Sequence, residues 1–461
     1  MNSRHFLLIT CPGQGHINPT LQLAKRLIQA GARVTFATTV RGHREIKAYP
    51  SLEGLSYASF SDGFDDGTKP TDDPTHIMSE FKRVGSQTLT KLILSLSNDH
   101  HGAVSFLIYS LLLPWAADVA RDMGIPSALL CIQSAAAFAI YCHYFNSKDG
   151  MYEIYSSDPP NSIQLQGLPP LASTDLPSYL LPNSPHASVL PTFQEHIRTL
   201  EKDANPCVLL NTFDALEVEA IKTVDNMNLT TIGPLIPSAV FDGKDGHSDS
   251  LSVVCDLFEG SEDYLHWLSS KPTHSVVYVS FGSMVVMQRK QTEEILHGLV
   301  ESGRPFMWVI RSSENIGREE ADDMIKSKSR EEEQGLIVPW CSQVEVLCHN
   351  SVGCFLTHCG WNSTLESMAA GVPVVACPHF SDQTTNAKLV EEVWGTGIKA
   401  RVNEEGFVDR EEIRKCVEMM MGGGEKGEEI RRNVKRWKTL AAQAVKEGGS
   451  SEEHLKLFLV D

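Results

Sequence analysis

The sequence predicts an α/β protein built from two domains, each containing a parallel β-sheet. The chain has 461 residues, which is enough for two domains of ordinary size, each with its own core. Hydrophobic residues make up 42% of the chain and charged residues 21%, as is typical of globular proteins. In both halves, short apolar runs alternate with helical patterns. This βαβα order indicates parallel strands with helices on both faces of each sheet.

In the first half, apolar runs predict strands and 3.6-residue periodicity predicts helices. The predicted strands are His5–Thr10, Arg33–Thr39, Ser105–Ser110 and Ser127–Ile132. One helix is expected from about Pro19 to Ala30, ended by Gly31, and another over WAADVARDMG.

The second half repeats the alternation. The predicted elements are a strand and loop over Ser275–Ser283, helices Gln291–Ser302 and Thr364–Ala370, and strands Pro305–Ile310, Gly335–Trp340, Val352–Thr357 and Pro373–Cys377. Two helical patterns separated by Gly448-Gly449 end the chain.

A Gly-, Ser- and Asp-rich stretch after Gly233-Pro234 is expected to separate the two domains. We therefore predict a first domain over residues 1–236, a linker over 237–263, a second domain over 264–440 and a C-terminal helix within 441–461. A charged stretch over residues 311–334 is expected to be a surface loop.

The charge and the cysteine pattern exclude several classes of protein. A net charge of −18 argues against nucleic acid or an anionic membrane as a partner. No apolar run reaches the roughly 18 residues of a membrane span, and Phe6–Thr10 is too short for a signal-peptide core, so we expect a cytoplasmic protein. The 11 cysteines are scattered and read as buried free thiols. They lack the paired spacing of a zinc site, so no metal is expected.

The most informative segment runs from Trp340 to Gln383, where polar residues stand at the joints between strands and helices. The strand Val352–Thr357 is followed by a tight loop, His358–Ser363, and then by a helix. Backbone N–H groups and the positive end of the helix dipole favour an anion at such a joint. Glu366 lies four residues after Asn362, so its carboxylate is expected on the same side of the helix.

These 44 residues, WCSQVEVLCHNSVGCFLTHCGWNSTLESMAAGVPVVACPHFSDQ, resemble the donor-binding signature of plant family-1 UDP-dependent glycosyltransferases. The resemblance implies two Rossmann-like domains facing a cleft, the GT-B glycosyltransferase fold, with the C-terminal tail returning to the first domain. It also implies an inverting enzyme that uses UDP-glucose as co-substrate without a metal, and that is usually a monomer.

The resemblance implies a role for each residue of the signature. The uracil and ribose are expected to be held by Trp340, the backbone of Cys341, Gln343 and Glu366. The diphosphate is expected at His358, Gly360, Asn362 and Ser363, with Ser283 of the FGS loop nearby. The transferred sugar is expected at Trp361, Asp382 and Gln383, and Gln at the last position favours UDP-glucose.

The resemblance also implies a general base at His16, in the CPGQGHINP loop after the first strand. Taken alone, this loop resembles a nucleotide-binding glycine loop only weakly. Many relatives carry an Asp at the position of Ser110, where it orients the histidine. Its loss should lower the basicity of His16, and Asp118 is too far along the next helix to substitute.

Two acceptor classes therefore stay open. A carboxylic acid, with a pKa of about 4 to 5, is already ionised at pH 7 and needs no base. An acidic phenol such as a flavonoid hydroxyl is the other class, if Ser110 still supports His16. SFSDGFDDG and YSLLLPWAA resemble a subgroup that spans both classes, anthocyanin 5-O-glucosyltransferases and glucose-ester-forming enzymes.

Two functions of other classes are alternatives to a UDP-glucose-dependent glucosyltransferase. The first is a catalytically weak sugar-nucleotide-binding protein of the same fold, which an intact His16, Asp382 and Gln383 disfavour. The second is an NAD-dependent epimerase or dehydrogenase. That function needs a G-x-G-x-x-G motif, which neither PGQGHINP nor SFGSMV supplies.

Overall fold

The computed structural model describes residues 4–46, 49–69, 71–98, 102–146, 162–181, 184–242, 263–311, 323 and 334–460. The chain forms two compact units, the first mainly Met1–Pro237 with Gln443–Asp461 and the second mainly Phe258–Ala442. Most of the predicted linker and almost all of the predicted loop over 311–334 lie outside the described residues.

The first unit contains a sheet of seven parallel strands in the order β3-β2-β1-β4-β5-β6-β7. The strands are β1 His5–Ile9, β2 Arg33–Thr39, β3 Leu55–Phe60, β4 Phe106–Ser110, β5 Ser127–Cys131, β6 Cys207–Leu210 and β7 Asn228–Thr231. The helices are α1 Gln14–Gln29, α2 Val40–Glu45, α3 Pro74–Asn98, α4 Trp115–Asp122, α5 Ala135–Asn146, α6 Leu190–Glu201 and α7 Asp214–Ile221. Short 3₁₀ turns cover Ser173–Asp175, Ser178–Leu180 and Ala187–Val189.

The second unit contains a sheet of six parallel strands in the order β10-β9-β8-β11-β12-β13. The strands are β8 Val276–Ser280, β9 Phe306–Val309, β10 Gly335–Val338, β11 Val352–Thr357, β12 Val374–Ala376 and β13 Gly397–Lys399. The α-helices are α8 Ala239–Asp242, α9 Asp263–Ser269, α10 Arg289–Glu301, α11 Gln343–Cys348, α12 Trp361–Ala370, α13 Gln383–Lys388, α14 Arg410–Met421 and α15 Glu425–Val445. A π-helical turn, Leu389–Val393, extends α13.

Strand β8 shows why this sheet is buried on both faces. Val276 and Tyr278 belong to one apolar cluster, and Val277 and Val279 to the other. Successive side chains of a strand point to opposite faces, so a continuous apolar run serves two cores at once.

In each sheet, successive strands are added towards one edge up to a central pair of neighbours and towards the opposite edge after it. In the first unit β1 pairs with β4, and in the second β8 pairs with β11. In open parallel sheets, ligands bind at the carboxyl ends of the strands on either side of this switch point. The fold therefore marks one candidate position in each unit.

The last helix, α16 Ser450–Val460, belongs to the first unit. The Phe458 ring packs edge-on against Phe106, with ring centroids 5.1 Å apart, and also lies near Phe6. His454 Nδ1 lies 2.9 Å from the Thr231 hydroxyl oxygen on β7. Apolar and polar contacts therefore fix the chain end on the first sheet.

Two predicted helix starts are wrong, and both corrections concern the site. Helix α1 begins at Gln14 rather than near Pro19, because the Gly13 carbonyl already accepts from the His16 and Ile17 N–H groups. Helix α12 begins at Trp361 rather than Thr364, with Gly360 as its N-terminal cap. Residues that we assigned to loops therefore lie in the first turns of helices.

Two other features concern the described residues only. Their cysteines are all free thiols and most are buried, as predicted. Within the same ranges, none of the helices combines the length and the apolar character needed to cross a membrane.

Candidate functional site

His16 and Ser110 lie at the switch point of the first sheet. Ser110 ends β4, and His16 is in the first turn of α1, which follows β1. The His16 Nδ1 atom lies 3.4 Å from the Ser110 hydroxyl oxygen. That oxygen is also 3.1 Å from the hydroxyl oxygen of Thr10. Since Nδ1 faces Ser110, Nε2 is the ring nitrogen left to meet another molecule.

The electrostatics of His16 follow from this uncharged surrounding. Burial lowers the pKa of His16 to about 4, and among the described residues no carboxylate opposes the effect. The imidazole is therefore neutral at pH 7 and able to accept a proton, but it is a weak base. Asp118 forms an exposed ion pair with Arg121, at 2.6 Å, so it is engaged elsewhere.

In the second unit, two glycines enclose the imidazole of His358, which directly follows β11. A Cβ atom at Gly360 would lie 2.5 Å from Nε2 of His358, and one at Gly282 would lie 2.7 Å from it. Gly282 also has φ +73°, in the left-handed region. Both glycines therefore leave room for the histidine, and the close approach of a phosphate to the Gly360 backbone stays a prediction.

His358 is buried and fixed from its other side by the strand that carries it. Its Nδ1 atom is 3.3 Å from the Thr357 hydroxyl oxygen. Burial, helped by the nearby His379, lowers the pKa of His358 to about 3, so the ring is neutral at pH 7. A neutral ring can be buried at little cost, and an arriving anion would favour its protonation.

Three of the residues predicted to bind the nucleoside or the phosphates form one hydrogen-bonded cluster. Gln343 begins α11, and its amide nitrogen donates to Ser363 Oγ at 2.8 Å and to Glu366 Oε2 at 2.7 Å. Burial raises the pKa of Glu366 to about 7. The cluster therefore presents a carboxyl group that can donate or accept near neutral pH, which suits the hydroxyls of a sugar.

Trp340 and Cys341 lie between β10 and α11, at the same edge of the sheet. The Trp340 ring is half-buried on an apolar cluster that includes Cys341. The Cys341 thiol points inward, 3.4 Å from the hydroxyl oxygen of Tyr278, which is also 3.4 Å from Gln343 Oε1. The side chain of Cys341 is therefore part of the core, which leaves its backbone for recognition.

Two of the residues predicted to contact the transferred sugar, Asp382 and Gln383, lie at the start of α13. Their side chains hold the local backbone. Gln383 Oε1 accepts from the backbone N–H groups of His379 and Phe380, at 2.9 and 3.0 Å. Asp382 Oδ2 accepts from the Asn386 amide at 2.8 Å, and the same amide donates to the Cys359 carbonyl at 3.0 Å. Asn386 thereby joins this helix to the His358 loop.

Two further predicted residues, Trp361 and Ser283, are held by contacts within the second unit. The Trp361 indole is buried against Trp394, with ring centroids 5.9 Å apart. The Ser283 carbonyl accepts from the Arg311 guanidinium, which also donates to the Val285 carbonyl at 2.7 Å. The guanidinium thus fixes the loop that follows β8.

Sequence reasoning missed several residues that support this site, namely Thr10, Tyr278, Gly282, Arg311, Thr357 and Asn386. Only Asn386 left a usable signal, because it follows Asp382 by four residues and so shares its helix face. The others act across strands or loops that are distant in sequence. In the parts of the chain that the structure describes, no group of three or more His, Cys, Asp or Glu side chains could hold a metal ion.

Comparison with known proteins shows the family to which the chain belongs. A family model described as UDP-glucoronosyl and UDP-glucosyl transferase matches residues 219–428. UDP-glycosyltransferase 75C1 of Solanum lycopersicum is 54% identical over 466 residues, covering 99% of this chain and 98% of the relative. Anthocyanidin 3-O-glucoside 5-O-glucosyltransferase 1 of Perilla frutescens is 48% identical over 466 residues, covering 100% and 99%.

The fold is similar to the crystal structure of Os79 from O. sativa in complex with UDP. The TM-score is 0.86 at 33% sequence identity, over 99% of each chain. The predicted family and the predicted fold of two Rossmann-like domains are therefore confirmed. The chain belongs to the family of UDP-glucoronosyl and UDP-glucosyl transferases, among the plant family-1 enzymes, and it transfers sugar from a UDP-sugar to small plant metabolites.

Proposed function

We propose that the enzyme is an inverting O-glucosyltransferase that moves glucose from UDP-glucose to an acceptor oxygen that ionises readily. The observation that carries this proposal is the uncharged surrounding of His16. With a pKa of about 4, the ring is unprotonated at pH 7, but it is a weak proton acceptor. Such a base suffices only when the acceptor holds its own proton loosely.

The reaction is a single displacement. The acceptor oxygen forms a bond to the anomeric carbon while the bond from that carbon to the diphosphate breaks, and UDP leaves with the electron pair. His16 Nε2 takes the acceptor proton, and Nδ1 is steadied by Ser110, 3.4 Å away. The backbone N–H groups at the start of α12 and the imidazole of His358 would stabilise the charge on the departing diphosphate.

Donor binding is assigned to the second unit. The Gln343, Ser363 and Glu366 cluster would hold the ribose and the adjoining phosphate, and Trp340 would stack on the uracil. Gln383 would use its amide nitrogen on the glucose, since its oxygen accepts from two backbone N–H groups. Trp361 would contact the glucose through its backbone, because its indole is buried against Trp394.

A phenolic hydroxyl is the first acceptor class. One relative is named for O-glucosylation of anthocyanidin 3-O-glucosides, and the resemblance covers the whole chain. A carboxylic acid is the second class, and a specific observation favours it: the side chain 3.4 Å from His16 Nδ1 is the neutral Ser110 hydroxyl and not a carboxylate. A carboxylate acceptor needs no base at pH 7, so the weak His16 would not limit its reaction.

The test is an acceptor screen with UDP-glucose, flavonoids and aromatic acids, read by mass spectrometry and followed by mild alkaline hydrolysis of each product. Alkali-stable glucosides would support the phenolic class, and alkali-labile products would support the ester class. Failure to release UDP with any acceptor would favour the sugar-nucleotide-binding alternative. Metal independence, a monomeric state and a cytoplasmic location stay predictions, and retention of activity in EDTA would test the first of them.

A further inference from the structure

The turn after β4 contains a backbone conformation that needs outside support. Leu112 has φ +74°, in the left-handed region that residues other than Gly, Asn and Asp seldom adopt. Leu111 and Leu113 on either side of it are buried. Such strain persists only where the surroundings hold the backbone in place. This turn begins directly after Ser110, the neighbour of His16.

His196, on α6, supplies that support. Its Nε2 atom accepts a hydrogen bond from the Leu112 backbone N–H at 3.1 Å. Its ring lies parallel to Tyr109 on β4, with an interplanar angle of 1° and centroids 6.0 Å apart. The ring is therefore fixed both by stacking on the strand and by the hydrogen bond to the turn.

The protonation state of His196 follows from this bond. Because Nε2 accepts, the ring proton is on Nδ1, and that atom is buried without a hydrogen-bond partner among the described residues. Burial also lowers the pKa of His196 to about 3, so the ring stays neutral. A buried N–H without a partner is costly, and a leucine here would avoid that cost. The presence of a histidine at position 196 is therefore explained by the hydrogen bond that it accepts from the Leu112 N–H.

We propose that His196 is a positioning residue that holds Leu112 in its left-handed conformation and thereby keeps the Ser110 hydroxyl against His16. The connection along the turn is short, because Leu112 is two residues from Ser110. A second contact joins the turn to the His16 segment, since the Leu111 carbonyl accepts from the Cys11 thiol at 3.6 Å. The inference rests on the proposed role of His16 as base.

The test is a double-mutant cycle between His196→Phe and Leu112→Gly. Phenylalanine keeps a flat ring beside Tyr109 and removes the acceptor, and glycine adopts φ +74° without strain. With a phenolic acceptor, whose reaction needs the base, we expect His196→Phe to lower kcat by about tenfold in the parent chain and by less than about twofold in the Leu112→Gly background. The KM for UDP-glucose should not change, because the proposed donor residues are in the other unit.

The matched control is Leu200→Ala, which removes a buried side chain from the same helix. It should lower the melting temperature, and its effect on kcat should be equal with and without Leu112→Gly. His196→Leu is the second variant, should the phenylalanine chain not fold. Equal losses from His196→Phe in both backgrounds would overturn the inference.

A His16→Ala variant separates the two proposals. If His16→Ala is inactive and the double-mutant cycle shows no coupling between His196 and Leu112, the role of His16 as base is supported. The positioning role of His196 is then rejected. If His16→Ala retains full activity, the proposed base fails, and the positioning role falls with it.

Discussion

The amide nitrogen of Gln343 donates to the carboxyl group of Glu366 at 2.7 Å, joining the first turn of α11 to the middle of α12. Both residues are predicted to hold the donor ribose, and in the structure they are hydrogen-bonded to each other. A bound ribose would have to share or replace this bond. The pair thus links the ionisation of Glu366 to both folding and donor binding.

We expect Glu366→Gln to stabilise the ligand-free protein at alkaline pH. Burial raises the pKa of Glu366 from 4.5 to about 7. A carboxyl group whose pKa is raised by folding stabilises the fold fully below about pH 4.5, and this contribution is lost as the pH rises through about 7. The variant should melt about 2–4 °C above the parent at pH 8, and the difference should shrink towards pH 5. A difference that does not vary with pH would contradict this.

Gly282→Ala should impair donor binding through His358. The new methyl group would overlap the imidazole, at 2.7 Å from Nε2, and displace it. We expect the KM for UDP-glucose to rise by about tenfold or more. Gly303→Ala is the control, because Gly303 has a similar φ of +67° and an added Cβ atom there meets nothing within 4 Å. Equal changes in KM for both variants would mean that backbone strain alone is responsible.

Ser110→Asp should strengthen His16 as a base. A carboxylate beside the imidazole favours its protonated form, so the pKa of His16 should rise from about 4. Activity falls below the pKa of the base, so the acidic limb of kcat/KM should move to higher pH. Glucosylation of weakly acidic hydroxyls should gain more than ester formation. Ser110→Asn, similar in size and neutral, should leave the limb near pH 4, and an equal shift in both variants would exclude the electrostatic explanation.

Two substitutions at Gln383 should separate its structural role from its proposed contact with glucose. Gln383→Glu keeps the oxygen that accepts from His379 and Phe380 and removes the amide donor. We expect it to keep the melting temperature while kcat/KM for UDP-glucose falls by about tenfold. Gln383→Ala removes both functions, so it should also lower the melting temperature. If Gln383→Glu keeps full activity, the amide does not contact the sugar.

Local sequence patterns predicted nine of the thirteen strands that the described residues form, and missed β3, β6, β7 and β13. Two helix starts were placed too late. Strand Val352–Thr357 was predicted with its observed bounds, because an apolar run between polar loops has few alternatives. The start of α1 was missed because QGHINP is rich in residues typical of loops. Pro19 lies inside that helix, where it lacks one N–H but has a helical φ. Tertiary contacts outweigh local preference there.

The residues of the candidate site also differ in how far the sequence could predict them. Residues within the Trp340–Gln383 signature could be predicted because a family resemblance covers them. The contact of Gly282 with His358, and that of Ser110 with His16, depend on the pairing of β8 with β11 and of β1 with β4. Those partners are separated by some 70 to 100 residues, and no local pattern encodes their pairing.

In the proposed assignment, the two switch points divide the work of the enzyme between separately encoded stretches of chain. The proposed base and its neighbours come from the first half, whereas every residue proposed for the donor falls between Ser283 and Gln383. Mutations that alter the choice of acceptor can therefore accumulate without disturbing the sugar nucleotide. Chimeras that take the chain up to Pro237 and from Gln443 onward from one parent, and the stretch between them from another, offer a practical way to exchange one specificity while keeping the other.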